Sequence, residues 1–350
     1  MRIAQVSPLC ERVPPRLYGG TERVVAYLTD ELVRLGHAVT LFASGDSCTR
    51  ATLVDVWPTA LRLGDCRDFL APHVLLVEQV ARRADQFDVI HFHVAQLHLP
   101  IARRLGTAHI TTMHGRLDLP ELGPLFREFC DVPIVSISDA QRAPLPEAGW
   151  IGTVHHGLPL DLLPFQPTPD DYVAFIGRIS PEKRVDRAIA IASACGIPLR
   201  IAAKVDAADR NYFEREIRHL LDNPLVEYIG EIGDGDKREF LGRARALLFP
   251  IDWPEPFGLV MIEALACGVP IVAFRCGSVA EVVEHGVTGF VVDSLDEAIA
   301  ATRRIDELSR EACRAAFELR FSAPRMARDY LQIYERVAAR AETVAMSGAA

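Results

Sequence analysis

The chain has 350 residues, enough for two domains at the roughly 100–200 residues a domain usually takes. Apolar residues make up 49% and charged residues 24%, which excludes a disordered, collagenous or coiled-coil chain. The net charge is −9 and both halves are negative, so neither offers the positive field that nucleic acid or an anionic membrane surface requires. Only three basic residues are lysines, Lys183, Lys204 and Lys237, so a lysine at a working position stands out. The eight cysteines contain no CxxC pair and no ladder of short spacings, which points to free thiols in a reducing compartment. No N-terminal stretch reads as a signal peptide, and the longest apolar run, 259–274, is interrupted by Glu263 inside about 18 residues. The expectation is a cytoplasmic chain without a transmembrane segment, free or held peripherally at a membrane.

The first strand is expected at 2–6, followed by a glycine-bearing loop and a helix near 21–35. There Val24, Val25, Leu28, Leu32 and Leu35 recur at three- and four-residue spacing, and Gly36 ends the pattern. Near-continuous apolar runs at 38–43, 89–93, 109–114 and 132–138 predict further strands of a buried parallel sheet. The segment 158–171, with four prolines and three aspartates, is the best linker candidate. Strand patterns then restart at 172–177, 199–205, 226–230, 246–251, 270–275 and 289–293, with helices near 182–194 and 209–222 among them. Only helical patterns follow about residue 320, and 321–342 places Met326, Tyr330, Ile333, Tyr334 and Val337 on one face. The last ten or so residues are small and polar and read as frayed. Strand and helix alternate throughout, so the fold class is α/β with two Rossmann-like domains, assigned to residues 1–165 and 166–320.

Such sheets bind ligands beyond the carboxyl ends of their strands. GxGxxG and GxxxxGK are both absent, so nicotinamide and P-loop chemistry lack their fingerprints. After the first strand comes Gly19-Gly20-Thr21-Glu22. Paired glycines before a helix suit the close approach of an anion, and a plain turn capped by Thr21 suits them equally. After strand 172–177 come Arg178 and Lys183, a guanidinium fork and a compact ammonium that together match a diphosphate. A solvated loop with Glu182 as local partner explains the pair as well.

The segment 252–263 is the most informative. Pro254 and Pro256 fix an extended approach, Glu255 lies just before a glycine that starts a helix, and Glu263 sits about two turns further on. Carboxylates hold sugar hydroxyls well, and the N–H groups of Phe257, Gly258 and Leu259 at the helix start suit an anion. By that spacing both carboxylates can face one cleft, and the apolar residues around Glu263 leave it little solvent face. His114 ends a strand and is followed by glycine. His91 with His93, and His155 with His156, could each pair on a metal, yet no carboxylate or cysteine cluster lies close in sequence. Packing in polar networks is the preferred reading, and neither a metal nor a cofactor is expected.

Taken in order, Gly19-Gly20, His114-Gly115, FIGRISPEKRVDRAI (175–189), EPFGLVMIEALACGVPIVAF (255–274) and GVTGFVV (286–292) resemble glycosyltransferase family 4 along nearly the whole chain. The strongest elements are the Glu255 to Glu263 spacing and the Arg178 and Lys183 pair. The resemblance implies GT-B architecture, in which two Rossmann-like domains face a cleft and the C-terminal helix, about 321–342, crosses back to the N-terminal domain. It also implies a retaining, metal-independent transfer of a hexosyl group from a nucleoside-diphosphate sugar to an acceptor hydroxyl. The first domain would hold the acceptor and the second the donor.

By that resemblance Arg178 and Lys183 would neutralise the departing diphosphate, Glu255 would bind sugar hydroxyls and Glu263 the ribose. The N–H groups of Phe257, Gly258 and Leu259 would meet sugar and phosphate, and Ile232 in the loop 231–233 would border the base. His114 would touch the donor sugar near the reacting centre, and Gly19 and Gly20 the diphosphate. No general base is named, because such enzymes are described as letting the leaving phosphate draw the acceptor proton. His156-Gly157 departs from the Asn-Gly of many members, and residues 44–75, where acceptor determinants often lie, match no motif. The acceptor, whether saccharide, lipid-linked or a small molecule, stays open. Alternatives on the same architecture are a nonhydrolysing sugar-nucleotide epimerase, a phosphorylase with a pyridoxal lysine, and a nucleotide-sugar binding subunit without turnover.

Overall fold

The computed structural model describes residues 1–16, 19–62 and 64–348. The chain forms two compact units, one of Met1–Gly157 with the chain from Ala323 onward, the other of Leu158–Ser322. The division falls eight residues before the 165/166 boundary read from sequence, because the proline-rich segment packs on the second unit. Leu158 and Leu163 are buried there, the Leu158 N–H donates to the Phe321 carbonyl at 2.9 Å, and the Gln166 N–H donates to the Cys267 carbonyl at 3.0 Å.

Unit 1 is built on a seven-stranded parallel sheet, ordered β3-β2-β1-β4-β5-β6-β7. The strands are β1 (Arg2–Val6), β2 (Ala38–Ser44), β3 (Thr52–Trp57), β4 (Val89–Phe92), β5 (His109–Thr112), β6 (Ile134–Ser136) and β7 (Trp150–Thr153). β3 and β7 are additional to the expected strands, and both are edges. β3 mixes Thr52 and Asp55 with apolar residues, and β7 carries Gly152 and buries none of its four residues fully, so neither shows the apolar run of a central strand. Ala4, Val6, Phe42, Ile90 and Phe92 pack with Leu76 and Val80 on one face, where each fully buried large side chain contributes about 1.5–3 kcal/mol.

The helix Gly20–Arg34 buries Val24, Val25, Leu28 and Leu32. It starts behind Gly19 with no capping side chain among the described residues, so Thr21 lies inside the first turn and does not cap it. Across the order reversal, Gln5 on β1 is the register partner of His91 on β4. The C-terminal helix Ala323–Gly348 belongs to this unit and buries Met326, Tyr330, Ile333 and Tyr334. It runs to Gly348, past 342 where fraying was expected; residues 349–350 lie outside the described residues.

Unit 2 has a six-stranded parallel sheet, ordered β10-β9-β8-β11-β12-β13. Its strands are β8 (Val173–Arg178), β9 (Leu199–Lys204), β10 (Val226–Gly230), β11 (Ala246–Phe249), β12 (Ile271–Phe274) and β13 (Gly289–Val292). Val173, Phe175, Ile201, Leu248, Val272 and Phe290 share a core with the helix Val185–Cys195. The order reverses between β8 and β11, which places this sheet's switch point beyond the ends of those two strands. The helix expected near 209–222 is broken into an α turn, a π turn over Phe213–Ile217 and a 3-10 turn. Ile217 alone is fully buried along it, so little packing enforces a regular helix. All eight cysteines are free thiols, and among the described residues no helix is long and apolar enough to cross a membrane.

Candidate active site

The site residues of unit 2 follow strand ends. Arg178 is the last residue of β8, and Lys183 closes the turn Pro181–Lys183 just beyond it. After β11 the chain runs through Asp252 and Glu255 to Gly258 and enters the helix Leu259–Ala266. These two loops are tied together at the switch point. The Asp252 N–H donates to the Glu182 carbonyl at 2.8 Å, and the Asp252 carboxylate accepts from Arg184 at 2.9 Å and Arg187 at 3.0 Å.

Between the loops, the Lys183 ammonium forms an ion pair with Glu255 Oε2, and the Trp253 indole N–H donates to the same oxygen at 3.0 Å. Lys183 Nζ also lies 5.1 Å from the Trp253 ring centroid and 5.8 Å from that of Phe249, within cation–π range. Arg178 is ion-paired with Glu182, with Asp209 at 3.5 Å and with Asp206 at 3.7 Å, while Lys204 holds Asp206 at 2.9 Å.

The Glu255 loop is clamped from behind. Gly277 sits so close that a Cβ would fall 2.3 Å from the Glu255 carbonyl oxygen, and its φ of +55° is one that L side chains rarely adopt. Next to it, the Ser278 N–H donates to the Glu255 carbonyl at 3.0 Å and the Ser278 hydroxyl to the Phe257 carbonyl at 2.8 Å. Gly258, at φ +77°, then turns the chain into the helix Leu259–Ala266. No side chain caps that helix, whose N-terminus carries partial positive charge toward the loop of Phe257 and Gly258.

Since the helix begins only at Leu259, Glu263 lies one turn into it, not two. It is buried, and Lys237 Nζ meets its two carboxylate oxygens at 2.9 and 3.2 Å. Lys237 belongs to the helix Asp234–Gly242, reached from β10 through the half-buried Ile232. Glu255 and Glu263 are therefore held by different lysines. Sequence reasoning missed Trp253, Lys237, Asp206, Asp209 and the Gly277-Ser278 clamp. The rarity of lysine could have singled out Lys237, while the others are revealed only by tertiary contacts.

In unit 1, Gly19 immediately precedes the helix that Gly20 opens. Glu22 in its first turn is buried and accepts the Glu11 N–H at 3.3 Å; burial pushes the Glu22 carboxyl up to about 7. His114 follows β5. Its Nε2 lies 2.8 Å from His93 Nδ1, and its ring stacks on His156 with centroids 5.2 Å apart. Burial pushes His114 down to about 3 and holds His91, His93 and His156 well below the usual 6.5. His91 and His93 are packed in a polar network with Gln5, Thr112 and Tyr334. Among the described residues no three His, Cys, Asp or Glu side chains gather so as to hold a metal ion.

Two parallel α/β units with this strand order, the first completed by the C-terminal helix, have the GT-B architecture. Residues 18–195, just over half the chain, match the model of Glycosyltransferase Family 4, and residues 164–320 match that of Glycosyl transferases group 1. The chain belongs to glycosyltransferase family 4. The D-inositol 3-phosphate glycosyltransferase of Mycolicibacterium smegmatis is 32% identical over 202 residues, covering 51% of this chain and 43% of that protein. This chain thus spans under half the length of that relative. The alpha-maltose-1-phosphate synthase of the same organism is 25% identical over 97% of this chain and 100% of its own length. Among solved structures, AviGT4, a glycosyltransferase involved in avilamycin A biosynthesis, is 28% identical with a TM-score of 0.72, covering 97% of this chain and 98% of its own. HepE of Anabaena, solved with UDP-glucose, shares the fold at a TM-score of 0.70 and 18% identity, covering 96% of this chain and 100% of its own.

Proposed function

We propose that this glycosyltransferase is a retaining hexosyltransferase that moves a sugar from a nucleoside-diphosphate sugar to an acceptor hydroxyl without a metal ion. The observation that carries the reading is the convergence of Arg178, Lys183, Glu255 and the N-terminus of the helix Leu259–Ala266 at the switch point of unit 2, where an open α/β sheet takes its ligand. Arg178 and Lys183 supply positive charge where the departing diphosphate develops negative charge. In the structure that charge is met by carboxylates, so a diphosphate would replace Glu182, Asp206 and Asp209 around Arg178.

Glu255, an acceptor-only group oriented by Lys183 and Trp253, would take sugar hydroxyls, and Glu263 the ribose. The N–H groups of Phe257, Gly258 and Leu259 would meet sugar and phosphate, with Ile232 bordering the base. In unit 1, His114 would contact the donor sugar, and Gly19 and Gly20 the diphosphate. The acceptor hydroxyl attacks on the face the diphosphate leaves, its proton passes to the leaving phosphate oxygen, and no side-chain base is assigned. The solved complex of HepE with UDP-glucose supports a nucleotide-sugar donor. Transfer from a donor of known anomeric configuration, followed by NMR of the product's anomeric proton, tests the reading. The same configuration is expected, and an inverted product overturns it.

A further inference from the structure

A chain of hydrogen bonds in unit 1 runs from the C-terminal helix to His114. The Tyr334 hydroxyl accepts from Gln5 Nε2 at 3.0 Å and lies 2.7 Å from His91 Nδ1. His91 Nε2 lies 2.7 Å from Thr112 Oγ1 on its other side. On the other side of Gln5, the amide oxygen can only accept, so His93 Nε2, 2.8 Å from it, carries a hydrogen. Among the described residues no carboxylate takes part in these hydrogen bonds, and burial keeps the His93 ring neutral. A neutral ring protonated at Nε2 has its lone pair at Nδ1, and that lone pair faces His114 Nε2 at 2.8 Å. His114 must therefore be the donor. Being neutral as well, it keeps its own lone pair on Nδ1, a buried atom without a partner among the described residues.

We propose that Tyr334, Gln5 and His93 are positioning residues that lock His114 as the Nε2–H tautomer, so that Nδ1 is offered as an acceptor to a ligand hydroxyl. A buried acceptor left unpaired is costly, and a hydroxyl hydrogen satisfies it, whereas a phosphate or carboxylate oxygen would face a lone pair. His114 then neither protonates a leaving group nor supplies positive charge. The C-terminal helix gains a chemical part, since Tyr334 takes the Gln5 Nε2–H from 329 residues away while the Gln5 amide oxygen faces His93. Only the identity of the hydroxyl, that of a donor sugar, rests on the proposed function.

A two-bond 1H–15N correlation spectrum of the full chain, labelled at histidine and free of ligand, tests this near neutral pH, with His114 assigned through the signals lost in His114→Gln. A pyrrole-type Nε2 and a pyridine-type Nδ1 are expected for His114; a protonated Nδ1 overturns the proposal whatever any variant does. In Gln5→Leu the His114 shifts are expected to move toward a mixture of tautomers while UDP binding by calorimetry is unchanged. Unmoved His114 shifts in the folded variant likewise overturn it. UDP binding to the wild-type chain reports on the donor site alone, so the two readings fail separately.

Discussion

Lys237 Nζ reaches both carboxylate oxygens of Glu263, at 2.9 and 3.2 Å, from a helix that follows a different strand. Glu263 is only 4% exposed, and its helix neighbours Met261, Ile262, Ala264 and Leu265 are completely buried. Removing one partner of a buried ion pair typically costs about 3–5 kcal/mol, because the remaining charge is left without compensation. Lys237→Met is therefore expected to lower unfolding stability by that order in urea titrations. Glu263→Gln keeps shape and an acceptor and is expected to cost less while weakening nucleotide binding. A Lys237→Met protein as stable as Glu263→Gln would contradict this ranking.

Gly277 is expected to be irreplaceable for a different reason. A Cβ there would strike the Glu255 backbone, and the positive φ adds strain, so Gly277→Ala must push the Glu255 loop away from Lys183. A fall in kcat/KM of at least about tenfold is expected, together with a lower melting temperature. Ser278→Ala loses hydroxyl bonding to the Phe257 carbonyl and should cost about 1 kcal/mol with the loop still in place. Wild-type kinetics in Gly277→Ala would show that the clamp does not position Glu255.

Lys183→Ala and Glu255→Ala are each expected to lose turnover by about 100–1000-fold, the range typical for one preorganised electrostatic contact. Trp253 still holds Glu255 when Lys183 is gone, so circular dichroism and melting curves should change little. Lys183→Arg is expected to rescue poorly, because a planar fork does not reproduce a compact ammonium against the Trp253 ring. Wild-type rates in both alanine variants would sink the assignment.

Stability should fall with acid. Burial lowers His91, His93, His98, His114 and His156, with His98 and His114 at about 3, so each stays neutral in the fold where the unfolded chain takes up a proton below 6.5. Unfolding then binds protons, and stability drops as pH falls from 6.5 toward the folded values, by ~1.4 kcal/mol per pH unit for each fully titrating histidine. Glu22 works in the opposite sense. Its carboxyl, raised by burial from 4.5 to about 7, is protonated in the fold and ionised when unfolded between those values, which offsets one histidine. Urea unfolding is expected to show a marked loss of stability between about pH 6.5 and 5, and a flat profile would contradict it.

The candidate-site loops of unit 2 were legible in the sequence because each follows a strand that reads as an apolar run, so Arg178, Lys183 and Glu255 fall at strand ends by simple counting. Their partners were not. Lys237 sits in DGDKREF, which reads as a solvated helix, and nothing local announces that it reaches Glu263. β3 and β7 are half-exposed edges without an apolar run to mark them, and the proline-rich 158–171 reads as a free linker although Leu158 and Leu163 are buried in unit 2. In unit 1, His91 on β4 and His93 just beyond it stand two residues apart, but their link through Gln5 to Tyr334 joins positions far apart in the chain.

If the switch-point cations of unit 2 do the work of a metal, this chain cleaves a sugar nucleotide with divalent ions removed. The decisive measurement is nucleoside diphosphate release from a panel of uridine, guanosine and adenosine diphosphate sugars in the presence of EDTA. Release from at least one donor, undiminished by EDTA, is the predicted result. Binding without release from any donor, or release that EDTA abolishes and magnesium restores, would contradict it.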